Sequence, residues 1–298
     1  MPNFPQSGTP TKGVALVTLA VMLFAVADVI TKHLTMLYAV PLVVFLRYLV
    51  NLGLLVVALA PQHGRALWKT QRSGLVLLRS GCLAAASLTM GIALRYMPVG
   101  ETVAIIYIAP ILVMIAASLL LGEKVSLAGW LGAALGFAGV LMIMRPGAGL
   151  DPVGVGFALF NAVVGAAYHL LSRVLARTET TVAMLCNTAL VGTVVFGAML
   201  LWTGLGTLPV GIDLLYLLIL GALATVGHFL FTAAYREAPA SLLAPVNYMH
   251  LVWAGILGWF VFNHAPDLIS MSGMALVAVA GVAVALRTHF AKAVATSA

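Results

Sequence analysis

Apolar residues run along this chain in blocks of helix length, separated by short polar or proline-containing breaks. A spanning helix needs about 20 mostly apolar residues, because the hydrocarbon core is ~30 Å thick and each residue rises ~1.5 Å. The blocks predict ten spans, at 14–32, 40–60, 74–95, 99–121, 127–145, 154–175, 182–203, 214–235, 241–262 and 270–288. The connections are short. The longest, around Pro61-Gln62-His63-Gly64-Arg65, also carries Lys69 and Arg72. Only this loop and the two tails are polar enough for exposed coil, which leaves no place for a soluble domain. The fold class expected is an all-α membrane protein.

One stretch organises the rest. Ala93 to Lys124 reads ALRYMPVGETVAIIYIAPILVMIAASLLLGEK, a helical hairpin in which Pro98 stops one apolar segment and opens the next. A second version, AYREAPASLLAPVNYMHLVWAGILGWFVF, runs from Ala234 to Phe262. Arg95 answers to Arg236, Pro98 to Pro239 and Tyr107 to Tyr248, all at one spacing, since 239 − 98 = 141. The same spacing relates Gly13-Val14 to Gly154-Val155, Thr31-Lys32 to Ser172-Arg173, and Gly132 to Gly273. Equivalent helices are five spans apart, and five is odd, so the halves cross the membrane in opposite senses. Such inverted repeats underlie many alternating-access transporters, which hold substrate near the midplane between the halves. The expected organisation is a tail at 1–12, one five-helix repeat at 13–146, a second at 154–288 and a tail at 289–298.

Composition agrees. Residues of hydrophobic type make up 63% of the chain and charged ones 8%, against about 25% charged in water-soluble domains, and the mean hydropathy is +1.12. The net charge of +7 does not imply nucleic acid, because the basic residues are scattered singly at helix ends instead of forming a stripe. They set orientation instead. With the N-terminus in the cytoplasm, Lys12, Arg65, Lys69, Arg72, Lys124, Arg173, Arg177, Arg236, Arg287 and Lys292 fall inside, and Lys32, Arg95 and Arg145 fall outside. Ten against three places both termini in the cytoplasm. Cys82 and Cys186 lie within apolar runs and read as small buried hydrophobes. No GxxxxGK[ST] is present, so ATP does not drive the protein, and no cofactor or metal is expected.

The two halves resemble paired EamA-type domains of the drug/metabolite transporter superfamily, on LRYMPVGETVAIIYIAPILVMIAASLLLGEKVSLAGWLGAALGFAGVLMI and on the weaker second hairpin. The similarity covers nearly all of the chain after Lys12. Within the superfamily the chain most resembles the bacterial aromatic amino acid exporters, which implies export of aromatic and other neutral amino acids across the inner membrane. The second half has His264 where the first has Glu123, so Glu123 is expected to serve hairpin geometry.

An ionisable group within a span is costly and should face a cavity or a partner. Only Asp28 and Glu101 among the eight acidic residues fall within predicted spans, both toward the outer end. Asp28 and Lys32 stand at i,i+4, and Arg47 approaches on the next helix. They predict a charge cluster, either a structural ion pair or an outer gate. Arg79, near the cytoplasmic end of its span, either snorkels to the headgroups or meets a substrate carboxylate. Asn161, Tyr168 and His169 on the sixth span, His228 on the eighth, Asn247, Tyr248, His250 and Trp253 on the ninth and Tyr107 on the fourth are polar tips at interior depth. Together with in-span Pro110 and Pro245, they predict a pocket for a flat zwitterionic solute. The alternative is interhelical hydrogen bonding. Gly129, Gly132, Gly136 and Gly139, partly echoed by Gly273 and Gly281, predict close helix packing or a dimer face, so monomer and homodimer both stay open.

The expected function is export of amino acids by alternating access, proton-coupled or uncoupled, with export of cationic drugs or other metabolites as the rival. An intramembrane enzyme using His169, His228 or His250 is the rival of another class. No HExxH, Gly-x-Ser-x-Gly or paired intramembrane aspartates support it.

Overall fold

The computed structural model describes residues 10–121, 127–145, 149–175, 178–237, 243, 246–280 and 282, and among these every regular element is helical. In chain order they are α1 (Pro10–Leu37), α2 (Val40–His63), a 3-10 turn (Gly64–Leu67), α3 (Ser73–Tyr96), α4 (Val99–Ile106), α5 (Ala109–Leu121), α6 (Leu127–Met144), α7 (Pro152–Leu175), α8 (Thr181–Thr203), α9 (Ile212–Glu237), α10 (Met249–Phe262) and α11 (Leu268–Ala280). Six helices are long and apolar enough to cross a bilayer alone. The pair α4–α5 and the shorter α6, α10 and α11 supply the other four spans, giving two inverted five-helix repeats. The Gly122-Glu123-Lys124 turn, Pro239, Pro245, Gly281 and the C-terminal basic residues lie outside the described residues.

The end of the bundle where α1 starts is called here the near end, and the opposite one the far end. Leu119, Leu201, Trp202 and Phe260 stand on the outer surface more than 70% exposed, which is stable where acyl chains cover them. The backbone polar groups meanwhile are satisfied within each helix.

Two boundaries differ from expectation. The loop expected at Pro61–Arg65 is largely helical, because α2 continues through Pro61 to His63. A proline so late in a helix frees only the carbonyl four residues back, and Val57 there is 77% exposed. The fourth span, expected over 99–121 with a break or kink at Pro110, is broken slightly earlier, at Tyr107-Ile108. Pro110 cannot donate to the Ile106 carbonyl, so α4 ends at Ile106 and α5 begins with proline in its first turn.

That break meets its counterpart. Tyr107 and Tyr248, equivalent under the 141-residue spacing, have ring centroids 5.0 Å apart, and Tyr107 Oη donates to the Asn247 carbonyl at 2.7 Å. Equivalent residues in mutual contact lie astride the axis relating the halves. Around them the main core joins α3, α4, α6, α7 and α10, with Leu94, Met97, Ile105, Ile143, Ala158 and Ala254 all buried. Part of the glycine stripe is used within the chain. A Cβ on Gly139 would come 2.7 Å from the Gly273 carbonyl oxygen, and a Cβ on Gly273 equally near the Gly139 carbonyl oxygen, so α6 and α11 cross backbone to backbone.

Candidate functional site

A cavity of about 340 Å³ lies between α2, α3, α7, α8 and α9, reaching from Arg47 and Ser87 at mid-depth to Thr181 at the near end of α8. Arg79 on α3 dominates its chemistry. The residue is 5% exposed, and neutral hydroxyls hold its guanidinium: Nε donates to Ser172 Oγ at 2.6 Å, Nη1 to Thr188 Oγ1 at 2.9 Å and Nη2 to Tyr168 Oη at 2.8 Å. Its Cζ also stands 4.4 Å from the Tyr168 ring centroid. Ser172 and Tyr168 are one turn apart on α7. Ser172 and Thr188 direct their own protons to Tyr168 and Met184 carbonyls on their own helices. These contacts use three of the five guanidinium N–H groups and, among the described residues, bring no carboxylate to the positive charge.

Arg47 on α2 also lines the cavity, its guanidinium 5.0 Å from the Tyr48 ring centroid. One turn further, the buried Asn51 Oδ1 has no hydrogen-bond partner. Tyr48, Phe229 and His228 supply aromatic wall, and the described lining contains two arginines but no aspartate or glutamate. Such a lining selects for a negatively charged group on a partly aromatic solute.

Deeper toward the axis is a second polar group. Asp28 on α1 and His250 on α10 approach to 3.0 Å between Oδ2 and Nε2, each side chain 15% exposed. The separation is that of an ion pair whose angle does not suit a hydrogen bond, and neither atom has another partner. The His250 ring lies 5.9 Å from Tyr107. Phe24, on α1, touches both histidines, at 5.0 Å from His228 and 6.4 Å from His250. Asn247 Oδ1 and Trp253 Nε1 are buried without partners in the same region. The lone polar tips and the two arginines thus occupy adjoining compartments.

The expected cluster of Asp28, Lys32 and Arg47 does not assemble. Lys32 turns to the end of α3, donating to the Leu94 and Met97 carbonyls at 2.8 and 2.6 Å, where a cation complements the exposed carbonyls and the helix dipole. Arg47 belongs to the cavity. Glu101 is buried in the first turn of α4, its Oε1 3.3 Å from His264 Nε2. Asn161 joins helices, donating to the Ala86 carbonyl at 2.5 Å and Thr89 Oγ1 at 3.1 Å. His169 on α7 is exposed and is not among the residues that line the cavity, its ring 5.3 Å from Tyr168.

Asn51, Tyr48, Ser172 and Thr188 escape a reading of the sequence, since no local pattern marks a hydroxyl or amide within a span as part of a site. One signal was present: Thr188 is the repeat equivalent of Arg47, and Ser172 of Thr31.

Comparisons with known proteins agree with this architecture. The sequence profile of the EamA-like transporter family matches residues 11–145 and 152–287. A riboflavin transporter of Brucella anthropi is 30% identical over 240 residues, 79% of this chain and 84% of that protein. An S-adenosylmethionine uptake transporter of Rickettsia bellii is 26% identical over 269 residues, 89% of this chain and 90% of that one. A solved crystal structure superposes with a TM-score of 0.68 at 21% identity, over 92% of this chain and 96% of its own, a likeness of fold.

Proposed function

The chain belongs to the EamA-like transporter family, and from that premise we propose that it exports carboxylate-bearing flat solutes, aromatic and other neutral amino acids, by alternating access. That it is a multi-pass membrane transporter of small molecules follows from the family and the apolar helices. The observation that carries the substrate class is the Arg79 guanidinium, buried and held by three hydroxyls in a cavity whose described lining has no acidic residue. A buried cation without a counterion favours a ligand that brings one. The same lining argues against cationic drugs, which need an interior carboxylate.

In this reading the substrate carboxylate meets the free N–H groups of Arg79, with Arg47 beside it. The ring rests against Tyr168, His228 and Tyr48, and the path toward the far end passes Asn247, Tyr248, Trp253 and Tyr107. Asn161 serves helix packing, and His169 stays outside the path. The halves correspond to 13–146 and 154–288, flanked by tails at 1–12 and 289–298. The bacterial relatives favour a bacterial inner membrane, and the ten-to-three distribution of basic residues favours a cytoplasmic near end. The α6–α11 crossing occupies Gly139 and Gly273, two of the glycines that suggested a dimer face.

A second reading is riboflavin, favoured by the relative of that name and by the aromatic wall. Neither relative reported above is named for amino acids. Proteoliposomes containing the purified protein decide between them. Labelled tryptophan should cross faster than into empty liposomes and be displaced by phenylalanine. Displacement by riboflavin or S-adenosylmethionine alone, with tryptophan inert, overturns the amino acid reading.

A further inference from the structure

We propose that Asp28 and His250 together form one proton-binding site that couples solute movement to a proton gradient. The proposal rests on the transporter reading above. Asp28 belongs to the first half and His250 to the second, so their 3.0 Å contact spans the interface that must rearrange when access alternates. Both side chains are 15% exposed, and neither facing atom has a hydrogen-bond partner. The contact adjoins the Tyr107–Tyr248 pair on the axis between the halves. Phe24 sits between His250 and His228, and His228 lines the arginine cavity, so the site communicates with solute through a single ring.

The proton balance follows from the two side chains. Unloaded, carboxylate and neutral imidazole carry a net charge of −1. One proton taken up on the imidazole gives a carboxylate–imidazolium pair of zero net charge. When the halves part, that proton moves to Asp28, leaving a carboxylic acid and a neutral imidazole, both tolerable apart in an apolar interior. The unloaded pair parts only by leaving a lone carboxylate there, which is costly. Rearrangement is therefore easier with the proton aboard, and the proton leaves when one side opens to water.

Other titratable groups on the packed helices are Lys12, Lys32 and His33 on α1 itself, Arg79, Cys82, Arg95 and Tyr96 on α3, Glu101 and Tyr107 on the fourth span, Asp213, Tyr216, His228, Tyr235, Arg236 and Glu237 on α9, and Tyr248 before α10. Lys32 is committed to the end of α3, and Glu101 faces His264. Two further carboxylate–imidazole pairs bridge the halves among the described residues, His33–Asp213 and Glu101–His264, but in each the histidine side chain is more than 40% exposed, whereas both members of the Asp28–His250 pair are 15% exposed.

Two measurements on the full-length protein test this. The first needs no solute: infrared difference spectra on acidification, with the Asp28 and His250 signals assigned by Asp28→Asn and His250→Gln. In the wild type both signals should change over one pH range, and each should alter when its partner is replaced. The second is labelled tryptophan in proteoliposomes under an imposed pH gradient. Wild type and Asp28→Glu should accumulate it above equilibrium, whereas Asp28→Asn and His250→Gln should lose accumulation but keep exchange. Independent titration of the two groups overturns the proposal. So does accumulation by Asp28→Asn, or loss of its exchange along with accumulation, which would mark a structural pair. If even the wild type leaves tryptophan unmoved, the amino acid reading fails and the infrared result alone decides the proton site.

Discussion

Glu179 accepts the backbone N–H of Arg72 at 2.7 Å, tying the turn before α8 to the start of α3 at the near end. It also accepts from the Gln71 N–H at 3.0 Å. Subtracting the repeat spacing from Glu179 gives Tyr38, and adding it to Arg72 gives Asp213. Tyr38 Oη donates to Asp213 Oδ2 at 2.7 Å at the far end. In each case the turn after the first helix of one half grips the start of the third helix of the other half. The chemistry differs while the geometry repeats, so the molecule has one latch per end. The bond to Asp213 pushes the Tyr38 phenol up from its ordinary value of 10.0, so the far latch's donor, protonated at neutral pH in any case, keeps its proton further into the alkaline range.

Breaking one latch should bias the protein toward opening at that end. A hydrogen bond to a charged group contributes about 1.5–3 kcal/mol and a neutral one about 1 kcal/mol, and ~1.4 kcal/mol shifts a population tenfold. Glu179→Ala should therefore raise the labelling rate of a cysteine placed at Thr181, inside the near mouth, by about tenfold, in a background where Cys82 and Cys186 are serine. Tyr38→Phe should lower that rate. Equal rates in both variants would show that the contacts are not gates.

Arg79→Gln should weaken solute binding far more than it weakens the fold. Ser172 and Thr188 keep their bonds to their own helices without the guanidinium, so of the three hydroxyls only that of Tyr168 loses its partner. Loss of a charge-assisted contact to a carboxylate of about 1.5–3 kcal/mol raises KM for tryptophan by about ten- to a hundredfold. Melting of the purified variant should move by only a few degrees. A large loss of stability with KM unchanged would make Arg79 a scaffold residue.

The spans and the inverted repeat were legible because each depends on many residues, twenty-residue apolar blocks and landmarks at one spacing. Pro110 even marked the break in the fourth span, although the sequence does not reveal that the chain uses it to end α4 at Ile106. The partners of polar groups were harder to read. Asp28 has Lys32 one turn away, the obvious partner by helix geometry, yet it meets His250 from the other half because Lys32 does better on the bare carbonyls closing α3. Asn51 and Thr188 gain meaning only where α2, α3 and α8 converge on Arg79. That convergence depends on tertiary packing, which local spacing does not encode.

The α6–α11 crossing predicts a steric failure. Gly139→Val would drive its side chain into the Gly273 carbonyl and Val277, and overpacking of this kind costs about 1–3 kcal/mol. Melting in detergent should fall. The mass by size-exclusion chromatography with light scattering should stay the same, since the face is internal. A change of mass with unaltered melting would return these glycines to an intermolecular role.

The far end carries a second inter-helix tie with a calculable pH response. Asp267 opens α11, accepting the Ser270 N–H at 2.8 Å, and its other oxygen accepts from Arg145 Nη2. The bonds from Ser270, followed by the Arg145 guanidinium, hold its carboxyl below the ordinary value of 3.8. A carboxyl depressed in the fold binds protons more weakly there than in the unfolded chain. Its stabilisation is therefore complete above the ordinary value and disappears as pH falls through the lower folded one. Asp267→Asn retains a cap oxygen for the Ser270 N–H but has no charge for Arg145. In melts from neutral pH down to about pH 3, the wild type should start higher and lose more, with the two curves converging at the acid end. A gap between wild type and Asp267→Asn that stays constant across the range would show that the charge of Asp267 adds nothing to this tie.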